Sequence, residues 1–286
     1  MTGSATVKLG LIGDNIARSR SPDLHRIAGA LSGLEVTYDL LVPPELGLDF
    51  DTVFQSCATH GYRGVNVTYP YKEIVAGKVG IDDPLVRRIG AVNTVVFQPG
   101  GAAGYNTDYS GFVAAYEAKF AGNPPGTVLL IGAGGVGRAI AFALVALGVT
   151  ELRVVDRDGS RADVLAAAVR QASGGHRVTS STNISAAARG ADGIVNCTPI
   201  GMTGYPGSPI DRAALGGQRW AFDAVYTPVE TAFKADTEAA GLDFLSGYEL
   251  FFHQGIQAFR IFTGRDIADT GELRRLLKDQ GNATQE

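Results

Sequence analysis

Cysteine is scarce in this chain. Cys57 and Cys197 are the only two in 286 residues, and they lie far apart, outside the clustered Cys and His spacing of a zinc site. A disulfide framework is thereby excluded and both are expected as reduced, buried thiols. Histidine is scarce too: His25, His60, His176 and His253 are scattered, so no metal site is expected. Charged residues make up 19% of the chain and the net charge is −4, which offers no basic field for nucleic acid. No apolar run approaches the roughly 18 residues of a membrane span. The opening "MTGSATVKLGLIG" carries no charged leader, apolar stretch and cleavage site, so a cytoplasmic location is expected. With nucleic acid and membrane set aside, small molecules remain as partners.

What the chain does have is a hydrophobic fraction of 45%, enough for a sizeable core and, by length, about two domains. Strand-like and helix-like segments alternate from the start. "VKLGLIG", a helix over about 22–32, "EVTYDLLV", a helix over about 48–60 and "GVNVTYP" give a βαβα order, which implies a sheet covered by helices. "AVNTVVF", the turn "QPGG" and "AAGYNTD" predict a hairpin. After a helix to Phe120 and the breaker "GNPPG", a second βαβ series starts at Thr127 and runs to "GIVNCTP", "RWAFDAVYTP" and the closing helices. The fold class is α/β, in two domains.

The clearest local signal is "VLLIGAGGVGRAI". Gly132, Gly134 and Gly137 fit G-x-G-x-x-G between a strand and a helix, with Ala133, Gly135 and Val136 completing the turn. The chemistry requires a tight turn, a backbone with no Cβ to block a pyrophosphate, and a helix amino end that favours phosphate charge. A second strand ends at Asp156, 24 residues beyond Gly132, near the expected spacing of about 20. A carboxylate there accepts the ribose hydroxyls of NAD and repels a 2′-phosphate. Arg157 and Arg161 stand close in sequence and could turn to such a phosphate, although a solvated surface pair is the plainer reading. On the charge argument NAD is favoured over NADP.

The stretch "GVNVTYPYKE" poses a different question. If the run stays extended to Pro70, Asn66 and Thr68 share a face, with Lys72 just beyond the break. Such a face is ill suited to a hydrophobic core and well suited to a hydroxylated anion. Ser19 and Ser21 follow the first strand in "ARSRSPDLH"; an N-cap at Ser21 with Pro22 at the first helical position explains Ser21 but not Ser19. Asn93 sits in a strand pattern that disfavours asparagine and needs a partner. Asp108 in "NTDYSGF" is explained singly as a helix cap.

Taken in order, "SRSPDLH", "GVNVTYPYKE", "GAVNTV", "GYNTDYSGF", "IGAGGVGRAI", "NCTPIGM", "DAVYTP" and "HQGIQAF" resemble the successive motifs of the shikimate and quinate dehydrogenase family, over nearly the whole chain. The resemblance implies that Ser19, Ser21 and Tyr226 bind a substrate carboxylate. It implies that Asn66, Thr68, Asn93, Asp108 and Gln254 hold ring hydroxyls, that Lys72 and Asp108 are the catalytic pair, and that Thr198 joins the cofactor site. Asp156-Arg157-Asp158 stands where many relatives carry a basic signature, which resembles the NAD-using, quinate-active branch. Ser246 and Tyr248 also depart from the usual pattern and leave substrate choice at C1 open. The implied architecture is a substrate domain over 1–108, completed by 248–286, and a Rossmann domain over 109–247, with the active site in the cleft between them. The implied activity is reversible NAD-linked oxidation of shikimate, quinate or both. The competing readings are a dehydrogenase for a related ring such as an aminoshikimate, and a non-catalytic sensor that binds shikimate or a nucleotide. Monomer and homodimer both stay open.

Overall fold

A computed structural model describes residues 6–283, with the side chains of 281–283 left aside. The ends of the expected substrate domain, 1–5 and 284–286, lie outside the described residues. The chain forms two compact units, one of Met1–Arg87, Ala91–Thr107 and Gln254–Glu286, the other of Arg88–Gly90 and Asp108–His253.

The elements of the first part are β1 (Thr6–Ile12), α1 (Ser21–Leu31), β2 (Glu35–Leu41), α2 (Pro43–Leu46), α3 (Phe50–Thr59), β3 (Gly64–Val67), α4 (Lys72–Ala76), α5 (Pro84–Ile89), β4 (Thr94–Gln98) and β5 (Gly101–Tyr105). They build a five-stranded sheet in the order β2-β1-β3-β4-β5. β1 pairs in parallel with β2 and β3, and the hairpin partners β4 and β5 run antiparallel. α3 lays Val53, Phe54 and Cys57 against Ile12, Val65, Val67 and Val95. Each fully buried aliphatic side chain of this kind contributes about 1.5–3 kcal/mol.

α6 (Thr107–Phe120) leads into β6 (Thr127–Ile131), α7 (Gly135–Ala146), β7 (Glu151–Val155), α8 (Gly159–Ala172), β8 (Arg177–Ser181), α9 (Ile184–Ala188), β9 (Gly193–Asn196), a 3₁₀ turn (Arg212–Ala214), β10 (Trp220–Asp223), α10 (Ala232–Ala239) and β11 (Asp243–Ser246). α11 (Gly247–Thr263) and α12 (Thr270–Ala283) close the chain. The second sheet has six parallel strands in the order β11-β10-β9-β6-β7-β8. Its central strands β9 and β10 are buried at all four positions, as expected of parallel strands covered on both faces. Among the described residues no helix is long and apolar enough to cross a membrane.

Three local expectations need correction. The extended run ends at Val67, short of Pro70. Thr68 still donates its N–H to the Ile12 carbonyl (2.9 Å), but Tyr71 N–H turns back onto the Thr68 carbonyl (2.9 Å), so the chain enters α4 and Lys72 is that helix's first residue. Ser21 is not the cap of α1: Arg20 is, without a side-chain bond, because Ser21 instead donates its N–H to Ser19 Oγ at 3.2 Å. Cys57 is buried, whereas Cys197 is only partly so, lying in the loop that follows β9.

Candidate active site

In the first unit, polar side chains gather at the carboxyl ends of β1 and β3 and at the amino end of the antiparallel β4. Gly13 follows β1, and a Cβ there would fall 2.4 Å from Thr68 Cγ2, so only glycine lets this loop lie against the end of β3. The same loop is tied down when Asp14 N–H donates to the Tyr69 carbonyl (3.2 Å) and Tyr71 Oη donates to Asp14 Oδ1 (2.5 Å). Ser19 and Ser21 then stand side by side, their hydroxyls 3.2 Å apart, at the amino end of α1. Adjacent hydroxyls there form a donor pair suited to a carboxylate.

Asn66 is buried and its amide is largely committed to the protein. Its oxygen accepts from Tyr38 Oη (2.9 Å), and its nitrogen donates to the Asn93 carbonyl (3.2 Å) and to Thr94 Oγ1 (3.1 Å). With both N–H groups used, Asn66 can only accept from a further partner. Asn93, also buried, finds the partner its position demanded: its oxygen accepts from Thr107 N–H (2.8 Å), and its nitrogen donates to Thr107 Oγ1 (2.9 Å) and Gln254 Oε1 (3.4 Å). Thr107 Oγ1 also donates to Gln254 Oε1 at 3.1 Å. The structure thus joins Asn66, Asn93 and Gln254 in one uncharged network through Thr94 and Thr107. Tyr38, Thr94 and Thr107 were not expected from the sequence; Tyr38 gave no signal there, since tyrosine in a half-buried strand is ordinary.

Lys72 is 7% exposed and Asp108 is 4% exposed, far below what solvated surface charges show. Lys72 passes its carbonyl to Val92 N–H at 2.9 Å, and Asp108 stands in the first turn of α6. Tyr226, in the loop after β10, stacks its ring on Phe251 of α11 at 4.9 Å and 22°.

The glycine-rich turn of the second unit has the form a dinucleotide requires. Gly132 takes φ +103°, and a Cβ there would meet the Cys197 backbone at 2.9 Å. A Cβ on Gly137 would sit 1.9 Å from the Gly132 carbonyl, so α7 packs closer to β6 than any larger residue permits. Gly134 is different. A Cβ there would meet only Arg161 Nη2, at 3.7 Å, so the protein itself leaves the space above this residue open, as a pyrophosphate would need. α7 has no side-chain cap, which leaves its first amides for an anion. Asp156 follows β7 and is locked in place: Oδ2 accepts from Ala133 N–H (2.7 Å) and Oδ1 from Asp158 N–H (3.0 Å). The carboxylate is therefore fastened to the glycine-rich turn, with lone pairs left for a diol. Thr198 donates its N–H and hydroxyl to Asn196 Oδ1 (3.0 and 2.7 Å).

A glycine fingerprint with an acidic residue at the next strand end, in a chain that also carries an α/β unit with a buried lysine and a hydroxyl pair, defines a dinucleotide-dependent oxidoreductase. Comparison with known proteins narrows this. Residues 11–95 match the shikimate dehydrogenase substrate binding domain and residues 117–200 match shikimate/quinate 5-dehydrogenase. The NAD(+) quinate/shikimate dehydrogenase of Corynebacterium efficiens is 37% identical, covering 91% of this chain and 93% of the relative. The NADP(+) shikimate dehydrogenase of Pseudarthrobacter chlorophenolicus is 39% identical, covering 93% and 92%. The structure of quinate dehydrogenase from Corynebacterium glutamicum in complex with NAD superposes with a TM-score of 0.86 at 35% identity, covering 96% of this chain and all of that one. The chain belongs to the shikimate/quinate dehydrogenase family.

Proposed function

We propose that this protein catalyses the NAD-linked, reversible oxidation of shikimate to 3-dehydroshikimate, of quinate to 3-dehydroquinate, or of both. The observation that carries the cofactor choice is the Asp156 carboxylate, held by two backbone amides where an adenosine ribose is bound in this fold. In this reading Ser19, Ser21 and Tyr226 bind the ring carboxylate. Thr68, Asn93, Asp108 and Gln254 hold ring hydroxyls, and Asn66 accepts from one through its remaining lone pair. Held by the glycine-rich turn and Asp156, NAD would supply the hydride acceptor for the carbinol carbon. Lys72, transiently neutral, takes the hydroxyl proton in that direction; in reduction its ammonium donates the proton and stabilises the charge that builds on oxygen. Asp108, the other half of the catalytic pair in this reading, orients the reacting hydroxyl. A cytoplasmic location and small-molecule ligands belong to the same proposal.

The test is a panel of initial rates at 340 nm with shikimate, quinate and an amino analogue, each with NAD and with NADP. Turnover of a ring acid with NAD is expected. Turnover of the amino analogue alone would assign a different ring, and binding of shikimate without turnover would make the protein a sensor.

A further inference from the structure

Asp223 and Asn196 have no place in the reading above, yet both are fully buried, at 0% exposure. They end neighbouring strands, β10 and β9, in direct register, at the carboxyl edge of the parallel sheet where ligands bind in open α/β folds. Asn196 Nδ2 donates to Asp223 Oδ1 at 2.9 Å. Each residue then holds the loop that leaves its own strand. Asn196 accepts both donors of Thr198 (3.0 and 2.7 Å) and donates to the Ile200 carbonyl (3.1 Å). Asp223 accepts from Val225 N–H (3.0 Å) and from Thr231 Oγ1 (2.7 Å), so both ends of the loop that carries Tyr226 are fastened to one carboxylate. Thr231 in turn caps α10 by accepting from Lys234 N–H at 3.1 Å.

A carboxylate taken fully out of water costs several kcal/mol unless it is bonded, and here it has only neutral donors. A merely structural stitch between two strand ends would be served more cheaply by an amide or a hydroxyl. A carboxylate is the side chain that accepts at once from three donors, one at the end of β9 and two on the loop after β10. We infer that Asp223, through Asn196 and Thr231, is a positioning residue that sets the Thr198 loop and the Tyr226 loop in register, so that cofactor binding and ring-acid binding both depend on one buried carboxylate. The inference rests on the roles given to Thr198 and Tyr226 above.

The links predict a fan of effects. Asp223→Asn, which places an N–H among donors, should raise KM for the ring acid and the Kd of NADH, read by fluorescence without acid, each by about 10-fold, the loss of roughly 1.4 kcal/mol of positioning. Thr231→Val should raise KM for the acid alone, and Thr231→Ser should restore it. In all three variants kcat at saturation should stay within about threefold, since no reacting group is touched. A lowered Tm in Asp223→Asn with both affinities at the wild-type value would overturn the inference and leave Asp223 a folding residue. If the wild type turned over no ring acid, the proposed function would fall on its own account. The NADH arm would then decide, an unchanged Kd sinking the inference and a raised one sustaining it.

Discussion

The two units meet the same problem, a polar cluster inside a packed core, with opposite electrical solutions. The first unit builds its cluster from uncharged groups, Tyr38, Asn66, Thr94, Asn93, Thr107 and Gln254. Its buried histidine is kept neutral as well. His25 stacks on Tyr38 at 5.0 Å and packs against Phe259 and Phe262; among the described residues its Nδ1 has no hydrogen-bond partner, and burial pushes its pKa down to about 3 against a weaker opposing contribution from Asn66. The second unit relies on carboxylates, Asp156 on the glycine-rich turn and Asp223 at the sheet edge. Burial pushes Asp223 up to about 6, while its bonds to Thr231, Val225 and Asn196 work against the shift. Neutral amides and hydroxyls can hold ring hydroxyls without setting a field; fixed carboxylates impose one, which suits a site that must tell a ribose from a phosphate.

The difference has a sign that acid can read. His25 titrates near 6.5 when unfolded and near 3 when folded, so between those values the unfolded chain binds the extra proton and stability falls as pH falls. For Asp223 the folded value is the higher one, about 6 against 3.8, so the folded chain binds the proton and stability rises as pH falls through that window. Urea unfolding at pH 7 and pH 5 should therefore show opposing contributions. At about 1.4 kcal/mol per pH unit, the His25 term loses roughly 2 kcal/mol and the Asp223 term gains roughly 1, so wild type should change by under about 1 kcal/mol. Asp223→Asn should lose about 2 over the same interval and His25→Gln should gain about 1. Equal pH dependence in all three proteins would erase the contrast between the units.

Against the neutral background of the first unit, Lys72 is a buried cation, which is the strongest reason to give it chemistry. Lys72→Ala should lower kcat by about 10² or more with a smaller change in KM, the scale for a lost general acid–base group. A kcat near wild type would take Lys72 out of the mechanism and leave the first unit a neutral binding surface throughout.

Much of this arrangement was legible in the sequence, and the part that was not has a common cause. The glycine triplet and Asp156 follow from a spacing within one βαβ unit, and the hairpin of β4 and β5 from its turn residues, because both signals are local. Asn93 announced a missing partner without naming it. The partners themselves, Tyr38 for Asn66, Asp14 for Tyr71, Thr231 for Asp223, lie between 8 and 57 positions away and depend on sheet register and loop packing. α4 and α5, of five and six residues, are too short for a helical period to register, so the sequence showed Lys72 only as a residue just beyond the break at Pro70.

The hydroxyl pair tests whether the neutral unit also takes the substrate's charge. A hydrogen bond to a charged group is worth about 1.5–3 kcal/mol, so Ser19→Ala should raise KM for the ring acid by roughly 10-fold or more and leave KM for NAD unchanged. Because Ser19 Oγ also receives the Ser21 N–H, the variant should be compared with Ser19→Thr, which keeps that acceptor. Equal damage to both KM values would assign the serines to the fold.

The cofactor ratio sharpens the comparison most, since it asks whether the fixed charge of the second unit is what selects the cofactor. In the proposed reading Asp156 repels a 2′-phosphate, and it also receives the Ala133 N–H of the glycine-rich turn, so Asp156→Ser would remove a charge and a turn anchor together. Asp156→Asn removes the charge and keeps an amide oxygen for one of the two backbone donors, while Arg161, whose Nη2 lies over the Gly134 turn, could turn to a phosphate. Wild type should prefer NAD. In Asp156→Asn the ratio of kcat/KM for NAD to that for NADP, at saturating shikimate or quinate, should shrink by at least about 10-fold, the equivalent of 1.4 kcal/mol. Asp156→Ser should shrink it similarly but also weaken both cofactors, because the turn loses its tether. A ratio unchanged in the asparagine variant, or a wild type that already prefers NADP, would mean that Arg157 and Arg161 set the pocket and that the carboxylate serves only the turn.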